Sequence, residues 1–204
     1  GFNLVGNPYP SGLDLGNFDG TMSGITASNT KLVTTVWIRS DGDFEEYNWQ
    51  SGTAVSGSFT GVVPPMQAFW LRVAEGENNV TFGVDNPARV HDNSVVYKAK
   101  TNPQLRLVVS RKGFSDAALV DIRNNATTGP DNYDSQKMLA TDARYPQIYM
   151  PQAGKKLAIN GMPPLQENRI IPLGFKTEQA GKFTIKAADI RDFAQGTELW
   201  LEDT

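Results

Sequence analysis

Two acidic stretches and one aromatic pair hold the residue types in this chain that could do chemistry. The first stretch is Asp41-Gly42-Asp43-Phe44-Glu45-Glu46 and the second Asp131-Asn132-Tyr133-Asp134; the aromatics are Tyr47 and Trp49. Paired carboxylates serve glycosidases when they face each other across the scissile bond. Clustered carboxylate and carbonyl oxygens instead suit a hard cation such as Ca²⁺. The first stretch lacks EF-hand spacing, because no third loop carboxylate, central glycine and distal glutamate fall in register. It reads more simply as a solvated turn followed by edge-strand charges that discourage sheet-to-sheet aggregation. In the second, Asp131 and Asp134 are the candidate metal ligands. Their competing and favoured role is capping and Asx-turn hydrogen bonding. Beyond Ca²⁺ at such a site, no cofactor is expected.

If "FEEYNWQ" is a strand, Phe44, Glu46 and Asn48 share one face and Glu45, Tyr47 and Trp49 the other. Tyr47 and Trp49 would then present adjacent rings, the arrangement that stacks on sugars, and they are the candidate ligand-binding residues. The same pair can pack inside a β domain, where aromatic burial supplies much of the core energy. Trp37, Phe69 and Trp70 stand in more apolar surroundings and are expected in the core.

Other chemistries are poorly served. The one histidine, His91, sits in a polar loop, and cysteine is absent. Disulfides, thiolate metal sites and cysteine nucleophiles are therefore excluded. A zinc site would have to lean on carboxylates, and no nucleophile elbow accompanies the lone histidine. Neither Gly-rich phosphate fingerprint occurs. The chain is expected not to be an enzyme.

The elements that must position these residues read as strands. "KLVTTVWIRS" (31–40) alternates with a period of two and is rich in β-branched residues. Asp-Gly then favours a hairpin into "FEEYNWQS". "GSFTGVV", "MQAFWLRV", "NNVTFGV" and "NSVVYKA" (93–99) follow. Pro64-Pro65 lacks two backbone donors and breaks the series. "QLRLVVS", "DAALVDI", "QIYM", "KLAIN", "NRIIPLGF", "KFTIKA" and "TELWLED" continue it. Short helical turns are expected at Ser135–Leu139, capped by Asp134, and at 187–194. No helical period is sustained over ten residues.

The 204 residues carry a net charge of −3, with 39% hydrophobic residues, 19 Gly and 12 Pro. That composition suits many short strands and gives no electrostatic reason to expect nucleic acid. No apolar run is long enough to span a bilayer as a helix. Residues 1–97 hold four Lys/Arg against ten Asp/Glu, and residues 98–204 hold fifteen against twelve. With the polar, Pro-containing stretch near 98–104, this divides the chain into an acidic, Trp-rich unit at 1–98 and a second unit at 99–204. The expected fold is all-β, two consecutive units of β-sandwich or jelly-roll type with little helix.

The opening run "GFNLVGNPYPSGLDL" reads as a structural corner. Gly6 permits a positive φ, Asn7 is biased to extended geometry by Pro8, Pro8 and Pro10 stiffen the exit, and Tyr9 can fold back over the sheet. Local sequence leaves the isomers of Asn7–Pro8 and Tyr9–Pro10 open. This run resembles a "GNPYPS" segment of large exported proteins of Bacteroidetes. So do "VVPPMQAFWLRV" (62–73), "NNATTGPDNYDSQKM" (124–138), "KLAINGMP" (156–163), "RIIPLGF" (169–175) and "ELWLED" (198–203). Pro130 stands where those proteins have a bulky or aromatic residue. The resemblance implies a module of a secreted or cell-surface protein, of the kind found upstream of type IX secretion sorting domains. It supplies no catalytic residues.

Both ends stop on strand-like sequence, so the chain is expected to be part of something longer, with its second unit truncated. The expected function is a non-catalytic structural or adhesion module of a bacterial multidomain protein. The alternative is a carbohydrate-binding module attached to a secreted enzyme. Expected partners are other domains of the parent, a glycan or a surface protein. An open sheet edge would also admit a strand-exchange dimer.

Overall fold

The structure, a computed structural model, describes residues 1–15, 25–27, 31–40, 42–90, 102–166 and 169–203. Asp41, His91, the strand expected at 93–99 and the division at residue 98 lie outside the described residues. Seventeen strands occur among the described residues, and the one helical piece there is a 3-10 turn at Asn86–Ala88. The protein is all-β.

The strands of the N-terminal part are β1 (Phe2–Gly6), β2 (Gly12–Asp14), β3 (Ile25–Ala27), β4 (Thr35–Ser40), β5 (Asp43–Asn48), β6 (Thr53–Ala54), β7 (Val62–Val63), β8 (Ala68–Arg72), β9 (Phe82–Val84) and β10 (Arg89–Val90). They build a five-stranded sheet in the order β1-β8-β4-β5-β6, a three-stranded sheet β10-β2-β7 and a pair β3-β9. The Asp-Gly hairpin forms as expected, Ser40 pairing with Asp43 and Gly42 taking φ +98°. Alternation then sorts the five-stranded sheet. Val36, Ile38, Tyr47, Phe69 and Leu71 face a core shared with Leu13, Leu15 and Val63. Thr35, Trp37, Glu46 and Asn48, in register across β4 and β5, face the other way.

The C-terminal part follows with β11 (Gln104–Arg111), β12 (Phe114–Ile122), β13 (Ser135–Gln136), β14 (Gln147–Gln152), β15 (Lys155–Met162), β16 (Gly174–Lys176) and β17 (Thr184–Arg191). These form one sheet in the order β16-β14-β15-β12-β11-β17, with β13 also on β15. β12 and β15 pair in parallel and the other contacts are antiparallel. Two hairpins close through two-residue turns in which both residues have positive φ: Lys112-Gly113 (+49°, +85°) and Ala153-Gly154 (+47°, +75°). That is the turn twist matching a right-handed strand pair. Val109, Val120, Ile122, Ile148 and Leu157 make the core of this part.

Both expected helical turns are corrected. Ser135–Gln136 is β13, and 187–191 belongs to β17, which pairs with β11 through a register shift at Arg106/Leu107. A helix of one turn has too few internal hydrogen bonds to outweigh its nucleation cost, so available sheet edges take these residues. "TELWLED" forms no strand; Trp200 is 87% exposed and has no pairing neighbour there.

The corner at the N-terminus differs from expectation at one residue. Gly6 ends β1 paired with Ala68 and has no positive φ, because sheet pairing keeps it extended. Asn7 does the turning. It is buried, its Nδ2 donates to the carbonyls of Ser11 (2.9 Å), Val63 (3.2 Å) and Pro64 (3.1 Å), and its Oδ1 accepts from Tyr9 N (3.0 Å). Pro8 and Pro10 follow trans bonds. Tyr9 folds back as expected: its hydroxyl donates to Val84 O at 2.9 Å, and the Arg89 guanidinium lies 5.1 Å above its ring.

Candidate functional site

The outward face of β4 and β5 is where the two parts of the chain meet. A single segment, Asn132–Met138, runs across it and leaves few of its polar groups unpaired. Thr34 Oγ1 donates to Asn132 O (2.6 Å), Thr35 Oγ1 to Ser135 Oγ (2.9 Å) and Trp37 Nε1 to Gln136 O (2.8 Å). Asn48 Nδ2 reaches Asn132 O (3.0 Å) and Asp134 O (3.3 Å). Arg72 donates to Gln136 Oε1. At one side of the face Val55 packs on Leu119, Ala158 and Ile159, and Arg106 Nε donates to Val55 O at 2.7 Å.

At the centre of this contact lies Lys137, whose side chain is fully buried. Its backbone N–H is fixed by Lys156 O (2.7 Å), which aims the side chain between the two parts. The ammonium touches Asp116 Oδ1 and stands 3.6 Å from Glu46 Oε2. Asp116 is clamped from behind, Oδ2 accepting from Ile148 N and Oδ1 from Ala117 N, both at 2.8 Å. Glu46 is held through Oε1 by Met138 N at 3.0 Å, while its Oε2 is buried without a hydrogen-bond partner. Asp43 completes the group at the start of β5.

Closure from water sets the electrostatics. Charged groups inside a low-dielectric site cost several kcal/mol unless paired, so the weaker acids hold their protons. Burial pushes Glu46 up to about 8, against the pull of Lys137 and with repulsion from Asp116. Burial, then Asp116, raises Asp43 to about 6. For Lys137, burial acts downward, but Glu46, Asp116 and Asp43 together outweigh it and hold the ammonium above its ordinary range. The site is an ammonium in contact with Asp116, with the Glu46 carboxyl group 3.6 Å away. Chemically it can move a proton over short distances with water excluded.

The first acidic stretch is thus corrected. Glu46, expected to be a solvated edge charge, has no exposed surface, and Asp43 is buried too. The reason is tertiary: the strand face opposite the N-terminal core is covered by the Asn132–Met138 segment. Alternation showed that Glu46 points away from Tyr47 but contained nothing about a covering layer. Lys137 and Asp116 were missed for the same reason: they stand 91 and 70 positions from Glu46 in sequence, and only the fold brings the three together.

The other sequence candidates fall elsewhere. Tyr47 and Trp49 are buried in the N-terminal core, and Phe59 packs edge-on to Tyr47 at 5.3 Å. The exposed coplanar pair that sugar stacking needs is therefore not formed by these two rings, because the sheet face they occupy is the core face. Asp131 and Asp134 spend all four carboxylate oxygens on backbone amides: Thr127 (2.6 Å), Tyr133 (2.8 Å), Asp131 itself (3.0 Å) and Gly161 (3.0 Å). They shape the loop in the manner of Asx turns, and burial raises Asp134 to about 6. Among the described residues no group of three or more His, Asp or Glu is arranged to hold a metal. A cleft of about 380 Å³ opens beside the contact, lined by Trp37, Arg72, Asn132, Gln136 and Lys155 among others.

No curated protein and no solved structure matches the chain. A family model described as a domain of unknown function matches residues 1–204, and the chain belongs to that family, DUF8693.

Proposed function

We propose that this protein is a non-catalytic structural or adhesion module of a secreted or cell-surface bacterial multidomain protein, like the Bacteroidetes segments its sequence resembles. One observation carries the reading: the polar and charged face of β4 and β5 is spent on joining the two β parts. Glu46 and Lys137 are sealed between them, and Thr35, Trp37 and Asn48 hydrogen-bond across the same contact. A module that transmits or resists load gains from such a joint, because the two parts then do not swing independently. Its partners in this reading are neighbouring domains of the same parent chain.

A glycan array probed with the purified chain, with Ca²⁺ and with EDTA, tests the proposal. It expects no reproducible binding in either condition. Retention of one glycan class would favour a carbohydrate-binding module instead, and loss of that retention in EDTA would assign a cation to it.

A further inference from the structure

We propose that Lys137 and Asp116 condense into an internal amide bond, an isopeptide cross-link, with Glu46 as the proton carrier. The inference concerns the buried cluster alone and does not depend on where the module is displayed.

Four features of the geometry meet at this place. The amine and the carboxyl group are in contact, and both side chains are closed to water. The carboxyl group is gripped by two backbone N–H groups, one on each oxygen, which fix its orientation and polarise its carbon. A second acid, Glu46, faces the same nitrogen at 3.6 Å through an oxygen that nothing else hydrogen-bonds. Finally, Asp116 and Lys137 belong to separate strand segments, β12 and the residue after β13, which flank β15 on its two sides. A bond between them would staple three segments of the sheet.

In water an amine and a carboxylic acid remain an ion pair, because hydration stabilises both charges and water is in excess. Neither holds here. Burial removes the hydration that stabilises the ions, and condensation removes the two charges altogether. Groups held in contact within a folded protein also react as if at roughly 10⁵–10⁸ M. Loss of the product water from a site closed to solvent then favours the amide.

The step balances without a co-reactant. Proton transfer inside the ion pair gives a neutral amine at Lys137 and a neutral acid at Asp116. Lys137 Nζ adds to Asp116 Cγ; the carbonyl electron pair moves onto Oδ2, where the Ile148 N–H holds it. Glu46 receives a proton from Nζ and hands one to the hydroxyl at Oδ1. The pair on Oδ2 returns, the Cγ–Oδ1 bond breaks, and one water leaves. An amine and an acid have become an amide and water, nothing is oxidised or reduced, and Glu46 ends as it began.

Intact-mass spectrometry of the folded chain after denaturation reads the result directly. The expected mass is one water below that of the sequence. Tryptic mapping should find a branched peptide joining the segments that contain Asp116 and Lys137, with no cleavage after Lys137. K137R and D116A should show the full mass. D116N, nearly isosteric, should instead lose one ammonia, since the leaving group becomes the amide nitrogen. E46Q, checked for folding by circular dichroism, should slow the condensation by roughly 10²-fold or more, the usual contribution of a positioned proton carrier. Wild-type protein that stays at full mass through prolonged incubation overturns the proposal. So does a water loss that persists in K137R, which would place it at Asp41-Gly42 as a cyclic imide, or a branch that maps to Glu46. An E46Q chain that condenses as fast as wild type removes Glu46 from the role.

Discussion

Replacing Lys137 with methionine is the sharpest stability test of the joint. Methionine keeps much of the volume and removes the charge. Before any condensation the ammonium sits among Asp116, Glu46 and Asp43, all buried. Without it, Asp116 is left with two backbone amides but no counter-charge, and the three carboxyl groups face one another. Breaking a buried pair by removing one partner costs about 3–5 kcal/mol. An amide at the site would add to that loss, so about 3 kcal/mol is the least to expect. For a chain of this size, each kcal/mol shifts the unfolding midpoint by about 2–4 °C, which makes the expected drop on the order of 10 °C. Urea unfolding and differential scanning calorimetry of wild type and Lys137→Met measure it. A loss below about 1 kcal/mol, within the range of an exposed ion pair, would refute the burial argument.

The same cluster predicts how stability depends on pH. Glu46 and Asp43 have folded-state values raised to about 8 and about 6, from 4.5 and 3.8. Asp134 is raised to about 6 in the same way. The folded state therefore binds these protons more tightly than the unfolded chain. Their stabilisation is complete below the unfolded values and is lost as pH rises through about 6 and then about 8. Thermal midpoints should decline across that window, and Glu46→Gln should flatten its upper part; a midpoint that climbs instead would contradict the assignment. At the N-terminal corner, Asn7→Asp keeps the acceptor for Tyr9 N but removes the donations to Ser11, Val63 and Pro64. Buried carbonyls left without donors should cost at least ~2 kcal/mol in urea unfolding, and a neutral substitution would show that the corner is held by its prolines alone.

Much of the architecture could be read from local chemistry. The alternation of 35–38, the Asp-Gly turn and the breaks at proline each reflect a few adjacent residues, and each appears in the sheets. Where the sequence reading failed, short segments had two options of similar local energy. Residues 135–139 and 187–194 had polar spacing suited to a helical turn, and only neighbouring edges of β15 and β11 made strands of Ser135–Gln136 and 187–191. At 198–203 the error ran the other way: a strand pattern without a neighbouring edge stayed irregular.

The candidate site divides along the same line. Sequence alone determined that the chain is built of strands, that Glu46 and Tyr47 point to opposite faces, and that cysteine chemistry is absent. Those properties follow from residue type and from the two-residue period of a strand. Only the tertiary structure decided which face was the core and which the joint. It buried Tyr47 and Trp49, sealed Glu46 and brought Lys137 to Asp116 from 21 residues away. The physical reason is that burial belongs to the layer lying over a residue, and that layer here is supplied by a segment some ninety positions further along the chain, as the Met138–Glu46 bond with its separation of 92 shows.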